Sequence, residues 1–207
     1  VPKKGNNYYR SQRITKYLNV VNAIVQKEFN EIRQQAFTED SDITSYFELL
    51  EDTSALKKEY LRMTNLPEGP EKETAQFALR DKMQAGDIDV NIMTKIDRRT
   101  YDDNGEMLPE EFSDALTALK GFAESDLSSG VVFSAGFNRR LYAHCAKFKD
   151  FFPDENGVIK KKIILKVSDF RSSVIQGKFL AKKGIWISEH RIESGLNCGG
   201  HAFATDG

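Results

Sequence analysis

The chain has 207 residues, with 30 Lys and Arg against 31 Asp and Glu and a formal net charge of −1. That balance leaves no electrostatic footprint for nucleic acid or an anionic membrane, and no apolar run approaches the roughly 18 residues of a spanning helix. The two cysteines, Cys145 and Cys198, sit in no CxxC or metal-type spacing. This argues against a disulfide framework and a zinc site and fits a reducing, cytoplasmic setting. The N-terminus lacks the basic-then-apolar plan of a signal peptide. Because the chain opens Val-Pro rather than with Met and ends at Asp206-Gly207, just after its most informative motif, it is expected to be a piece of a longer polypeptide, cut at its C-terminal end.

From Tyr8 to Gln84 the pattern is helical. Ile14, Tyr17, Leu18, Val21, Ile24 and Val25 recur at the three-and-four spacing of one apolar face. A second helix starts near Asp40 or Ser41, either of which can cap it, and carries Ile43, Phe47 and Leu50. Asp52 to Ser54 interrupt or re-cap it before Ala55 to Met63 resume. The stretch Asn65 to Pro70 breaks the pattern, and Pro70 opens a third helix that Gly86 closes. Residues 1–86 therefore read as a helical region whose charge rows are solvated faces.

After Gly86 short apolar runs alternate with amphipathic segments of helix length, the mark of βαβ units around a parallel sheet. Strands are expected at Ile88 to Met93, Val131 to Ala135, Ile163 to Val167 and Ile185 to Ser188. Helices are expected around Ser113 to Ser125, Arg139 to Phe148 and Arg171 to Lys183, the last stopped by Gly184. The fold class is α/β, with residues 87–207 supplying half of an eight-stranded barrel at most.

Asp102 to Gly105 and Asp154 to Gly157 resemble calcium loops, but the ligand positions do not fill, and both read as Asn-Gly turns; no metal is expected. Ser134 and Gly136 follow a strand and precede a helix, so their small size either admits a ligand or makes a tight turn. Lys95, Lys166, Ser168 and Asp169 lie at or just beyond strand ends, where parallel α/β folds gather ligands. Asn91 is polar within an apolar run and either meets a ligand or pairs with backbone. His144 reads as structural and His190 as open, and Glu189 and Glu193 are carboxylates that neighbour His201 in sequence, each with a surface role as the alternative. At the end of the pattern the run from Ile185 leads into Gly199-Gly200-His201. Paired glycines leave amides uncovered by any Cβ, a cradle for phosphate, and an imidazole beside them can move a proton.

The order of these features resembles the nitronate monooxygenase family of FMN-dependent barrels, formerly 2-nitropropane dioxygenases, to which flavin-dependent enoyl-ACP reductases are related. The likeness covers residues 87–207. Asp89-Val-Asn91-Ile92 is similar to the family's G-V-N-hydrophobic strand, Val131 to Gly136 loosely to its V-x-S-F-x-F-G, and the segment ending at His201 to its E-A-G-G-H. Asn197-Cys198 stand in place of Glu-Ala, and the Ser134 turn lacks the histidine base of many members.

The resemblance implies a TIM barrel, of which this chain holds part, and an FMN-dependent oxidoreductase acting on a small organic substrate. Asn91 and the Gly199-Gly200 backbone would contact FMN, the glycines through its phosphate. Lys95, Ser134, Gly136 and Lys166 complete the expected cofactor set, and His201 and Glu189 are the candidates for proton handling. Two alternatives stay open: an aldolase- or synthase-like barrel that grips a substrate phosphate and forms an imine on Lys95 or Lys166, and a catalytically silent helical interaction module. No nucleic-acid or membrane partner is expected, and self-association into a homo-oligomer is left open.

Overall fold

A computed structural model describes residues 6–193. The chain divides into two compact units, Ala23–Gly86 and a second made of Val1–Asn22 with Asp87–Gly207. The first 22 residues thus belong with the α/β unit, whereas composition groups them with the helices up to Gly86. The reason lies in α1 (Tyr9–Gln34), whose early residues Ile14 and Leu18 join the α/β core.

In the helical unit, the later part of α1 is followed by α2 (Asp42–Glu48), α3 (Ala55–Thr64) and α4 (Pro70–Lys82). Ser41 and Ser54 are the N-caps, accepting from the Thr44 and Lys57 amides, so the expected interruption at Asp52 to Ser54 is a true restart. Ile43, Phe47, Tyr60, Met63, Leu79 and Met83 form the core, with Phe47 and Tyr60 stacked at 5.3 Å. Two arginines cap one another's helices. The Arg80 guanidinium donates to the carbonyls of Arg33 (2.9 Å) and Gln35 (2.7 Å), and Arg33 donates to the Arg80 carbonyl (3.1 Å).

The α/β unit is built on β1 (Val90–Met93), β2 (Ser129–Ser134), β3 (Lys161–Val167) and β4 (Glu189–Ile192), all parallel and in the order β1-β2-β3-β4. The connecting helices are α5 (Asp114–Ala123), α6 (Arg139–Cys145) and α7 (Phe170–Ala181). Among the described residues the sheet does not close, and β1 and β4 are its two edges.

Alternation along the strands sorts the sheet into two faces. Ile92, Val131, Phe133, Ile163, Leu165 and Val167 share a core with Leu116, Leu119, Phe122, Leu141, Tyr142 and Leu180 of the helices. The opposite face carries Asn91, Val132, Ser134, Ile164, Lys166, Glu189 and Arg191. On the outer side of α5, Gly121 permits close approach of α1. A Cβ there would lie 2.6 Å from Ile14 Cγ2, and Thr15 Oγ1 donates to the Gly121 carbonyl at 3.0 Å.

One strand differs from expectation. The apolar run Ile185 to Ser188 is not the fourth strand; the ladder runs through the polar Glu189-His190-Arg191-Ile192. Ile185 is instead buried in the core, its amide bonded to the Leu180 carbonyl at the end of α7, and pairing with β3 begins only at the Ser188 amide.

Candidate functional site

The face of the sheet opposite that core, on which Val132, Ser134 and Ile164 are buried, gathers the polar residues into cross-strand rows. Asp89, Gly130 and Lys162 come first, then Asn91, Val132, Ile164 and Glu189, then Met93, Ser134, Lys166 and Arg191. Four of the residues singled out from sequence, Asn91, Ser134, Lys166 and Glu189, therefore point to the same side. This follows from pleat and register alone: parallel neighbours in step place every second side chain on one face.

Ser134 Oγ donates to Asn91 Oδ1 at 2.6 Å, which leaves the amide nitrogen of Asn91 available to a ligand. Lys166 Nζ meets Glu193 Oε2 at 2.7 Å, and Arg191 Nε meets Glu189 Oε1 at 2.8 Å. Lys166 and Arg191 are direct cross-strand partners. Two like charges opposite each other would repel, and each is held by its own carboxylate.

Lys95 and Gly136 meet at the carboxyl rim. A Cβ on Gly136 would lie 2.4 Å from Lys95 Cε, so the lysine stem crosses the bare backbone of the turn after β2. That turn is left-handed at two successive residues, Ala135 (φ 56) and Gly136 (φ 120).

Behind the rim lies a network that sequence reading missed. Asn138 caps α6 by accepting from the Arg140 and Leu141 amides, and its Nδ2 donates to Asp97 Oδ2 (2.8 Å) and the Thr94 carbonyl (3.1 Å). Arg140 reaches Asp97 at 3.0 Å and Glu110 at 2.8 Å. Burial pushes the Asp97 carboxyl up, but bonds from Asn138 and the Ala115 amide, with Arg140 alongside, outweigh it and hold the group below its ordinary value. An Asn just before a helix was the available signal for the cap; nothing in the sequence marked its tie to Asp97. Arg191 was missed because the fourth strand was framed four residues early.

Other candidates resolve into structural roles. Ser168 donates to Asp169, which caps α7 by accepting from the Ser172 amide at 2.7 Å. His144 is buried beside Phe148 (5.4 Å), and burial, helped by Lys147, lowers its pKa to about 4, so it stays neutral in the core. His190 projects from β4 to the helix-packed side, its Nδ1 2.6 Å from Ser173 Oγ. Gly199, Gly200 and His201 lie outside the described residues.

A cavity of about 520 Å³ opens at the amino end of the polar face, lined by Asp87, Asp89, Lys162, Ile164, Trp186 and Glu189. A more apolar one of about 650 Å³ lies between α7 and β4, lined by Phe170, Val174, Ile185, Trp186 and Ile192. No helix among the described residues is long and apolar enough to cross a membrane. No protein-family model, curated protein or solved structure matches the chain.

Proposed function

We propose that this chain is a sector of a (β/α) barrel that seats FMN over its polar face, in an oxidoreductase of the nitronate monooxygenase-like class acting on a small organic substrate. The carrying observation is the one-sided gathering of Asn91, Ser134, Lys166 and Glu189 on a parallel sheet of consecutive strand order. Helices lie against the other face, as a barrel wall requires.

The donor set suits the polar edge of a flavin ring. Asn91 is fixed by Ser134 with its amide NH2 still to give, and the Lys166 ammonium lies on the same face. Bound FMN would supply the redox chemistry. The chain would orient it through Asn91, place positive charge near its ring through Lys166 and Lys95, and handle protons through Glu189 or His201. The Gly199-Gly200 amides would hold the phosphate in this reading.

Titration of the purified chain with FMN, followed by visible absorbance and calorimetry, tests it. Saturable binding is expected, weakened roughly five- to tenfold by Asn91→Ala, the effect of one hydrogen bond worth about 1 kcal/mol. A chain that is colourless and takes up no added FMN, or whose affinity ignores Asn91→Ala, would refute the reading. Borohydride trapping of a carbonyl substrate on Lys95 or Lys166 would favour imine chemistry instead.

A further inference from the structure

α1 exposes a seam that complements itself. Arg13, Tyr17, Val20, Ile24, Lys27 and Glu31 follow at spacings of four, three, four, three and four, the stripe that two paired helices bury. The spacing rule marked Tyr17 and Ile24 as core, but Tyr17 is 66%, Val20 57% and Ile24 50% exposed. Inward packing of the helix uses other residues, Ser11, Leu18, Phe29 and Ile32. The apolar trio sits at the middle of the seam, with cationic Arg13 at one end and Glu31 at the other.

We infer that this seam binds a second copy of the chain, α1 against α1 in antiparallel sense about a two-fold axis. The spacing reads the same in both directions, so Val20 meets Ile24 of the second copy, Tyr17 meets its Lys27 and Arg13 meets its Glu31. The two-fold repeats each contact. Lys27 can lay its stem along the tyrosine ring with its ammonium over the face. A parallel pairing would set Arg13, Lys27 and Glu31 each against itself, so charge selects the antiparallel sense. With three apolar residues per copy the dimer is weak and concentration-dependent.

Sedimentation equilibrium of the chain over a wide concentration range tests this. A monomer–dimer equilibrium is expected. Val20→Glu, at an exposed site that leaves the circular dichroism unchanged, should weaken it at least tenfold. Arg13→Glu should weaken it several-fold, and Arg13→Glu combined with Glu31→Arg should restore it, because the charges are exchanged and remain opposite. A chain monomeric throughout, a dimer indifferent to Val20→Glu, or a double variant as weak as Arg13→Glu alone would overturn the inference.

Discussion

Lys161 opens β3 fully buried, its ammonium donating to the Ser125 carbonyl and hydroxyl at 2.9 Å each and lying 4.5 Å from the Phe122 ring centre. Two hydrogen bonds and a ring face compensate only part of the lost hydration. Burial, with Lys160 nearby, lowers the pKa to about 8. Between that value and the ordinary lysine range near 10.5 the unfolded chain keeps a proton that the folded chain has released, so stability rises with pH across this window. Urea midpoints measured from pH 7.5 to 10.5 should show the rise in the wild type. Lys161→Met, which cannot titrate, should lack that component.

At the scale of elements, the carboxyl rim depends on one side chain with two tasks. Asn138 both caps α6 and ties β1's exit to it through Asp97 and Thr94. Asn138→Ala is expected to cost about 1–2 kcal/mol, the loss of a cap together with its tertiary bonds, read as a lower urea midpoint at unchanged slope. Asn138→Asp keeps the cap acceptor but sets a carboxylate against Asp97, so it should also be destabilised at neutral pH, and more so at low salt.

The elements also show what a sequence can disclose. β2 and β3 were legible because central parallel strands are buried on both faces and read as continuous apolar runs. β4 was not, because an edge strand with one exposed face can be as polar as Glu-His-Arg-Ile, while the more apolar Ile-Trp-Ile nearby serves the helix-packed core. The caps Ser54 and Pro70's role as first residue of α4 were legible from local chemistry. Of the candidate site, Asn91 was visible as a polar residue within an apolar run and Ser134 as a small residue between a strand and a helix, and alternation in register is what unites them. The Asp97 network joins residues some forty apart in the chain, a pairing that no local pattern encodes.

For the molecule as a whole, a ligand held only by the folded state stabilises it by mass action. At a hundredfold excess over its Kd, FMN should add about 2.7 kcal/mol and raise the melting temperature by several degrees in a chain of this size. Asn91→Ala at the same FMN concentration should show a smaller rise. An equal rise in both would place any binding elsewhere.

Trp186 is the chain's single tryptophan. It is two-thirds exposed and lines both the cavity at the amino end of the polar face and the apolar one beside α7. The protein therefore carries a built-in optical gauge: its indole emission should begin red-shifted, and any molecule that settles in either hollow would move it toward the blue without an added dye. Which hollow has filled can then be read by small quenchers, since an occupant in one leaves the indole open to iodide from the other.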